Sequence, residues 1–367
     1  MKLREYQVGA VEFVLPRARA FVVAPAGSGK TIMAAAAAAR KAEPFDRVCW
    51  LANTREQVEQ ARAACLKAKW PDPVDIHICC VASKPDVSGA RIVIVDESHH
   101  LPAKSWWSAI SPADQIVWGF SATPWSGDWE RDGILKAFFG EENFVTIPRE
   151  EVMQGGSITK GHVIIHDVDT EGQFNALIAS LTAEETVRRF KKMPYIPRDE
   201  HERRVRWQFT VEALRENETR NARIIQIAFQ AIEAGESVLI LVSTIEHGQR
   251  LAAQINAATL VHAKIGRKAR KAAIDAFRAG QLRCMIATSL ADEGLDVPCA
   301  SVLILAAGGR SAGKLEQRAG RVMRPSPGKE YGIVHDFTDR GASMAFSQFK
   351  ARMRTYKRLG YSREEAA

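Results

Sequence analysis

The chain lacks the features that mark membrane and secreted proteins. None of its apolar runs reaches the roughly 18 residues that a membrane-spanning helix needs. Met1 to Glu5 carry charge with no apolar stretch behind it, unlike a secretory signal. The six cysteines lack the paired spacings of a zinc site, so we expect buried thiols in a reducing compartment. These absences favour an intracellular, cytoplasmic protein with no membrane partner.

Composition narrows the class only slightly further. A chain of 367 residues corresponds to two or three domains at about 150 residues each. Apolar residues make up 46% of the chain and charged residues 26%, as in ordinary globular proteins. The net charge of +8, from 51 basic and 43 acidic side chains, permits a polyanionic partner without requiring one.

The most informative motif is the glycine-rich segment at residues 24–31, Ala-Pro-Ala-Gly-Ser-Gly-Lys-Thr. It lies between the apolar run 21–23 and six alanines, which predicts a buried strand, a tight turn and a helix. Successive backbone N–H groups in such a turn can surround a phosphate at the positive end of the helix. The segment therefore predicts a Walker A loop (P-loop) that holds a nucleoside triphosphate and Mg²⁺ through Ala26, Gly27, Ser28, Gly29, Lys30 and Thr31.

The segment ahead of this loop predicts a short helix with apolar residues at positions 3, 6, 10, 11 and 14. We place Gln7 on the polar side of that helix, where its amide can pair with the donor–acceptor edge of adenine. An ordinary solvated glutamine is the alternative. Its position ahead of the P-loop favours contact with the base.

A second decisive segment is the apolar run 92–95, which predicts a buried parallel strand that ends in two carboxylates. Ligands of open α/β sheets bind at the carboxyl ends of strands. Asp96 suits coordination of Mg²⁺, and Glu97 suits a base that orients or deprotonates the attacking water. We expect His99, and Ser121 and Thr123 at the end of the next strand, to couple this acidic end to the rest of the protein.

Hydroxyl residues also follow strands elsewhere. Thr54 and Arg55 follow the strand 48–51 and can hold a phosphodiester, although an ordinary helix cap with a solvated arginine explains them equally well. Strand and helix patterns resume from Asn221 onward, and Thr244 follows the strand 237–242 in the same way. A further strand, Cys284 to Ala287, leads into Thr288.

Two arginines near the end of the chain are spaced for a common target. Arg321 and Arg324 are three residues apart, so we expect them to share a helix face and to reach one phosphate together. Surface arginines in salt bridges are the alternative. Between the two α/β halves, residues 170–218 predict a basic helical connector, for which a solvated linker is at least as good an explanation as a nucleic-acid contact.

Together these motifs resemble superfamily 2 helicases and translocases, and Asp96-Glu97-Ser98-His99 resembles a DEAH box. The overall pattern is most similar to the group of XPB-like, restriction-enzyme-motor and phage recombination helicases. The resemblance implies an α/β fold of two tandem RecA-like lobes, parallel sheets flanked by helices, with ATP in the cleft between them. The expected divisions are 1–169 for the first lobe, 170–218 for the connector, 219–340 for the second lobe and 341–367 for a basic helical tail.

The resemblance also implies roles for individual residues. Glu97, Gln317, Arg321 and Arg324 would act on the γ-phosphate and the attacking water, with Mg²⁺ on Thr31 and Asp96. Arg4 and Gln7 would contact the adenine, while Gly294 and Asp296 would lie at the nucleotide, with Asp296 on the ribose. The residues that would grip the nucleic-acid backbone are Thr54, Arg55, Thr244, His262 and Thr288.

The resulting expectation is a monomeric ATP hydrolase that uses ATP and Mg²⁺ to move along a nucleic acid, with DNA favoured over RNA and contacts independent of base sequence. One alternative is an ATP-switched clamp or a strand-annealing factor that does not unwind processively. A more distant one, a P-loop kinase or an unrelated ATPase, leaves the second half of the chain unexplained.

Overall fold

The computed structural model describes residues 2–107, 110, 115–125, 127–168, 172, 198–288, 297–309 and 311–366. The chain divides into two compact units, and the division along the chain falls between Ile158 and Thr159. Each unit has a parallel β-sheet of its own. None of the helices in these ranges is long and apolar enough to cross a membrane.

Sheet A of the first unit has six described strands in the order β3-β2-β4-β5-β1-β6, and every pair is parallel. Its strands are β1 (Arg19–Val23), β2 (Arg47–Ala52), β3 (Asp75–Cys80), β4 (Ile92–Asp96), β5 (Ile116–Ser121) and β6 (Phe144–Thr146). Its helices are α1 (Glu5–Val14), α2 (Lys30–Lys41), α3 (Arg55–Cys65), α4 (Lys104–Trp107), α5 (Trp129–Phe139) and α6 (Arg149–Gln154).

The centre of sheet A is buried because its strands are apolar on both faces. All five residues of β4 are buried, as the run of β-branched side chains predicts for a strand covered by helices on both sides. Phe21 of β1 packs edge-on against Phe139 of α5, with ring centroids 5.0 Å apart. Val93, Val95 and Val117 complete this side of the core.

Sheet B of the second unit has seven described strands in the order β13-β7-β12-β11-β8-β10-β9, again all parallel. They are β7 (Lys160–His166), β8 (Val238–Leu241), β9 (Ala258–Val261), β10 (Cys284–Ala287), β11 (Val302–Leu305), β12 (Tyr331–Phe337) and β13 (Ser362–Glu365). Its helices are α7 (Arg198–Glu216), α8 (Glu218–Glu233), α9 (Ile245–Ala252), α10 (Arg267–Arg278), α11 (Ala312–Val322) and α12 (Ser343–Arg358).

The strand β7 belongs to a different sheet from the one that the sequence pattern suggested. The expected first lobe, residues 1–169, includes β7, but β7 pairs along its whole length with β12 of the second unit. β13, in the segment predicted as a helical tail, pairs with the other edge of β7. On α7, Leu214 packs against Ala342 and Ala345, which ties this part of the predicted connector to the second unit.

Candidate nucleotide site and nucleic-acid interface

The predicted P-loop connects β1 to α2, and its backbone conformation requires glycine. Gly27 and Gly29 have φ values of 86° and 82°, in the left-handed region that other residues avoid. α2 begins at Lys30 with Gly29 as its N-cap. A Cβ atom on Gly29 would lie 2.6 Å from Nε2 of Gln7, so the loop and α1 approach too closely for a side chain there. The loop thus presents its backbone at a helix N-terminus, as phosphate binding requires.

Helix α1 holds this loop through side-chain hydrogen bonds to the Ser28 carbonyl. The Gln7 amide donates from Nε2 to the Ser28 carbonyl at 2.9 Å, and its Oε1 accepts from the Arg4 backbone at 3.0 Å. The Tyr6 hydroxyl donates to the same Ser28 carbonyl at 2.8 Å, a contact that the sequence did not indicate. Gln7 is only 2% exposed, so its predicted place on the polar side of α1 is wrong. It shares a face with Val11 and Val14, at spacings of four and three residues.

Two basic side chains were predicted to act at the nucleotide, Lys30 and Arg4. The Lys30 ammonium donates to the carbonyls of Ala24 and Pro25, at 3.2 Å and 3.5 Å, and so lies against the loop in which a phosphate would bind. Arg4, predicted to cover the adenine, is exposed at the start of α1, where its guanidinium donates to the Gly156 carbonyl at 3.4 Å. Of these two cations, Lys30 therefore contacts the P-loop directly, whereas Arg4 contacts the segment that follows α6.

The paired carboxylates lie where β4 ends. Asp96 is 7% exposed, and its Oδ1 accepts the Glu97 N–H at 3.0 Å. Burial, followed by the neighbouring Glu97 charge, raises the pKa of Asp96. Burial alone would raise the pKa of Glu97 too, but hydrogen bonding to His99 and the positive charge of Lys30 outweigh it, so that pKa lies below its usual value. Two adjacent acids therefore have pKa values shifted in opposite directions.

Glu97 is held in an unusual conformation. Its φ of 51° is left-handed, which a residue with a side chain adopts at an energetic cost and which recurs at functional sites. His99 holds the carboxylate, because its Nδ1 lies 3.3 Å from Glu97 Oε2. The same nitrogen lies 2.8 Å from the Ser121 hydroxyl. His99 therefore bridges the acidic end of β4 and the end of β5.

Ser121 connects the acids to the P-loop. Its carbonyl accepts the Ala24 N–H at 3.0 Å, and its hydroxyl accepts the Thr123 N–H at 3.2 Å. Val23 and Ser121 are direct partners across β1 and β5, and Asp96 pairs with Phe120 across β4 and β5. Ser121 at the end of β5 is thus hydrogen-bonded both to Ala24, which follows β1, and to His99, which follows β4.

The serine in the DEAH-like box is accommodated by a glycine on the next strand. Ser98 is fully buried, and a Cβ atom on Gly119 would lie 2.8 Å from its hydroxyl oxygen. A glycine in β5 therefore provides the space that the serine hydroxyl occupies.

The donor set fits a nucleotide with Mg²⁺. The described residues contain no group of three or more His, Cys, Asp or Glu side chains able to hold a metal ion on their own. Mg²⁺ commonly takes one or two carboxylates together with phosphate oxygens and water. Asp96 at the end of β4 and the Thr31 hydroxyl in the first turn of α2 are groups of that kind, beside a loop shaped for phosphate.

The predicted backbone-contact threonines cap helices in both units. Thr54 is the N-cap of α3, and its hydroxyl accepts the Gln57 N–H at 3.2 Å. Thr244 is the N-cap of α9 in the same way and accepts the His247 N–H at 3.2 Å. Arg55 is exposed in the first turn of α3.

The other predicted contacts of the second unit also follow strands. His262 follows β9 and Thr288 follows β10, and the Thr288 N–H donates to the Val261 carbonyl at 3.2 Å. Ala287 of β10 is in register with Leu241 of β8 and Val261 of β9. The structure therefore brings Thr244, His262 and Thr288 to one edge of sheet B.

The two arginines do not share a helix face as expected, because α11 ends at Val322. Arg324 comes just before Pro325, and a residue before proline is disfavoured in helical conformation. Arg321 is in the last turn and is only 6% exposed, while burial, followed by the charge of Arg278, lowers the pKa of Arg324. Gln317, one turn earlier, is partly exposed. The predicted Gly294 and Asp296 lie outside the described residues.

Two tandem parallel-sheet units define a recognisable class of protein, the RecA-like tandem. The structure superposes on S. cerevisiae Dbp5 bound to RNA and ADP BeF3, with a TM-score of 0.65 and 14% identity over 100% of this chain and 90% of that one. It also matches the Pyrococcus furiosus Hef helicase domain, with a TM-score of 0.55 and 15% identity over 95% of this chain and 99% of that one. At such identities the likeness concerns the fold, and it confirms the predicted fold class.

Sequence comparisons carry the assignment further. Residues 1–73 match the family model "Type III restriction enzyme, res subunit", and residues 219–326 match "Helicase conserved C-terminal domain". The chain is 25% identical to "Putative helicase 22" of Sulfolobus islandicus filamentous virus (isolate Iceland/Hveragerdi), over 91% of this chain and 64% of that protein. It is also 25% identical to "Putative DNA 3'-5' helicase Rad25" of Halobacterium salinarum, over 89% of this chain and 52% of that protein.

These matches confirm the resemblance recognised from the motifs: the chain is similar to superfamily 2 helicases. The proposed grouping with XPB-like and restriction-enzyme motors is consistent with them. The chain spans between about half and two thirds of the length of these curated relatives.

Proposed function

We propose that this chain is an ATP-dependent DNA translocase or helicase. The observation that carries the proposal is the row of contacts at one edge of sheet A: hydrogen bonds join the P-loop to Ser121 and Ser121 to His99, and the His99 Nδ1 lies 3.3 Å from Oε2 of Glu97. A loop with this backbone at a helix N-terminus suits a triphosphate, and the neighbouring acids suit hydrolysis. A phosphate-binding turn between any strand and helix would not need the acids or their coupling to Ser121.

In the proposed mechanism of ATP hydrolysis, the role of each side chain follows from its charge and its contacts. Glu97 stays deprotonated at neutral pH, because its pKa is lowered, and can accept a hydrogen bond and a proton from the attacking water. Lys30 and the loop N–H groups neutralise phosphate charge, and Thr31 and Asp96 would hold Mg²⁺, which polarises the phosphates when it is bound. His99 keeps Glu97 oriented and passes changes at that carboxylate to Ser121.

Residues of the second unit would also act on ATP and bind nucleic acid. We assign Gln317, Arg321 and Arg324 to the γ-phosphate, on the strength of the family resemblance. Thr54 with Arg55 in the first unit and Thr244, His262 and Thr288 in the second would hold the phosphodiester backbone. Such contacts carry no sequence information, so binding should be nonspecific and sensitive to salt.

Two comparisons bear on the choice between DNA and RNA. The Halobacterium relative carries the name of a DNA helicase, and the match to a restriction-enzyme subunit also favours DNA. The Dbp5 structure was bound to RNA, but at 14% identity that likeness concerns the fold alone. We therefore propose DNA as the polynucleotide on which the chain acts.

The test is the steady-state ATPase rate, measured without nucleic acid and then with single-stranded DNA, duplex DNA, forked DNA and RNA. We expect stimulation by DNA, and we expect Glu97→Gln to bind ATP but to lose nearly all turnover, because the amide cannot accept the proton. His77→Gln, an exposed substitution at the far edge of sheet A, is the matched control.

Three outcomes would count against parts of the proposal. Rates indifferent to every nucleic acid would refute the motor, parental turnover in Glu97→Gln would refute the role of Glu97, and a stronger response to RNA would refute DNA. Strand-displacement and annealing assays on forked DNA then separate a helicase from an ATP-switched clamp or annealing factor, which would use the same ATPase.

A further inference from the structure

Along the chain, the first unit leads into the second through residues 157–159, a segment that we call the junction. Ser157 and Ile158 belong to the first unit and are each 4% exposed, and Thr159 begins the second. Both ends of the junction carry a hydroxyl group, and each hydroxyl hydrogen-bonds within its own unit. The junction is therefore held at both ends, although it is only three residues long.

The first end of the junction is connected to the P-loop through Tyr6. The phenol has one proton, which it donates to the Ser28 carbonyl at 2.8 Å, so its oxygen accepts the proton of the Ser157 hydroxyl. The ring is held as well, because a Cβ atom on Gly155 would lie 2.8 Å from Cε1 of Tyr6. A single buried hydroxyl thus joins the P-loop to the junction.

The Ser28 carbonyl shares its peptide group with the N–H of Gly29, in the P-loop. This peptide bond is trans, so its C=O and N–H point in opposite directions. Because Tyr6 and Gln7 hold the carbonyl, the Gly29 N–H points away from them, and loop N–H groups are the donors that a bound phosphate needs. A phosphate on this N–H polarises the peptide group and strengthens the hydrogen bonds that its carbonyl accepts. Phosphate binding therefore strengthens the bond from Tyr6.

The second end of the junction caps α11. Thr159 donates its N–H at 2.7 Å and its hydroxyl at 3.1 Å to the Met323 carbonyl. Met323 is the C-cap of α11, where a helix leaves carbonyls without an intrahelical partner. In the chain, this carbonyl lies between Arg321 and Arg324, the two arginines that we assign to the γ-phosphate. Thr159 therefore holds the segment that carries them.

The strand that follows the junction is packed with the same helix end. Gly161 of β7 is in register with Gly332 of β12. A Cβ atom on Gly332 would overlap the carbonyl oxygen of Val322, the last residue of α11, so the helix end lies directly against β12. A displacement of Thr159 at the start of β7 therefore acts on β12 and on the end of α11 together.

We propose that Tyr6, Ser157 and Thr159 are positioning residues for ATP hydrolysis, and that the junction carries the state of the P-loop to the arginine segment 321–324. Phosphate binding tightens the contact of Tyr6 with Ser28 and so fixes the first end of the junction. The second end then holds the carbonyl between the two arginines. The three residues act through the backbone, so they affect the rate of turnover more than the affinity for ATP. The inference rests on the proposed function, which assigns the arginines to the γ-phosphate.

The first test is the steady-state kinetics of ATP hydrolysis by the full chain, with the polynucleotide that stimulates the parent most. Tyr6→Phe removes one oxygen atom and leaves the Gln7 contact with Ser28 in place. We therefore expect kcat to fall about three- to tenfold while KM for ATP stays within about twofold of the parent. Ser157→Ala breaks the same contact from the other side and should reproduce this result. Tyr331→Phe makes the same deletion on a tyrosine that is 46% exposed, and it should keep the parental kcat.

A double-mutant cycle separates coupling from two independent structural effects. Thr159→Val removes the hydroxyl bond to Met323, keeps the backbone one and should lower kcat about two- to fivefold. Independent sites have additive effects on free energy. If the junction couples them, the double variant with Tyr6→Phe loses little more than Tyr6→Phe alone, because either change already breaks the path. Effects that simply multiply, in variants whose thermal melts show a folded protein, overturn the proposal.

A second readout does not depend on turnover. Hydrogen exchange by mass spectrometry is followed in peptides that cover residues 319–326, with and without saturating ADP, which has no γ-phosphate for the arginines to contact. ADP should slow exchange there in the parent and should have no such effect in Tyr6→Phe. Equal protection in the two proteins, or none in the parent, overturns the junction as the path.

The two assays also distinguish failure of this inference from failure of the proposed function. A chain that does not hydrolyse ATP refutes the proposed function, and the ADP-dependent exchange then still decides whether the junction connects the P-loop to the end of α11. A chain that loses turnover in Glu97→Gln but keeps the parental kcat in Tyr6→Phe and Thr159→Val refutes the junction alone.

Discussion

Protonation of a buried histidine in α9 is expected to destabilise the second unit at acidic pH. His247 is 1% exposed, and its Nε2 lies 2.9 Å from Oδ1 of Asn221. Because an amide oxygen only accepts, Nε2 carries the proton of the neutral ring. Burial, followed by the charges of Arg220, Arg250 and Arg215, lowers the pKa of His247 from 6.5 to about 3.

The sign of the effect follows from the direction of this shift. The folded state binds fewer protons than the unfolded state, so the stabilisation is fully present above pH 6.5 and is lost as the pH falls from 6.5 towards 3. At about pH 5.5, one unit below the pKa of the unfolded chain, protonation of His247 in the unfolded chain lowers the free energy of unfolding by about 1.4 kcal/mol. The loss grows by a similar amount for each further unit until the folded group titrates.

The assay compares the parent with His247→Gln, whose side chain can still donate to Asn221 but does not titrate. Hydrogen exchange by mass spectrometry gives the opening free energy of α9 at about pH 7.5 and pH 5.5, after correction for intrinsic exchange rates. The parent should lose about 1.4 kcal/mol more than the variant between these conditions. Equal losses in the two proteins would show that His247 is not held neutral. The exposed His77→Gln change should leave the loss in α9 at the parental value.

Two further substitutions test the first unit. Gly29→Ala forces a residue with a Cβ atom into a φ of 82° and against Gln7, so we expect the protein to lose at least about 1–2 kcal/mol of stability and to bind nucleotide more weakly. Thermal melts and nucleotide titrations measure the two effects. The control is Gly133→Ala on α5, which has nothing within 4 Å of its Cβ position and should behave as the parent. Ser98→Ala removes a buried hydroxyl that has no hydrogen-bond partner among the described residues, so stability should stay the same or rise by up to about 1 kcal/mol, and a clear loss in urea unfolding would show that the hydroxyl has a role.

The arrangement of the candidate nucleotide site could be predicted from sequence because its parts are local. Each of these segments is adjacent to an apolar run, as the loop 24–31 follows β1 and Asp96 ends β4, so strand, turn and side chain are read in one window. Parallel pairing then brings the ends of β1, β4 and β5 together without further information. The helical spacing of Gln7 with Val11 and Val14 also predicts that Gln7 is buried, whereas its residue type predicts the polar side of α1, and here the spacing is the better guide.

The sheet to which β7 belongs could not be read from its own residues. Its apolar pattern predicts a strand, but the partner strand β12 lies some 170 residues further along the chain, as the pairing of His166 with Phe337 shows. Strand pairing over such distances depends on how the intervening elements fold. The buried ion pair of Arg352 with Asp336 could not be predicted for a related reason, since Arg352 comes from α12 and Asp336 from β12, and only the folded unit brings them together.

The two explanations considered for Thr54, a helix cap and a phosphodiester contact, are compatible with each other. A threonine hydroxyl has one proton and two lone pairs. In both Thr54 and Thr244 the cap uses a lone pair, because Oγ1 accepts an N–H from the first turn of the helix. The Thr54 proton stays available, and phosphate oxygens are acceptors that need one, whereas the Thr244 hydroxyl already hydrogen-bonds the neighbouring Glu246 carboxylate. Capping also fixes the side-chain rotamer, so the hydroxyl is already oriented before a phosphate binds, and it lies beside the positive end of a helix.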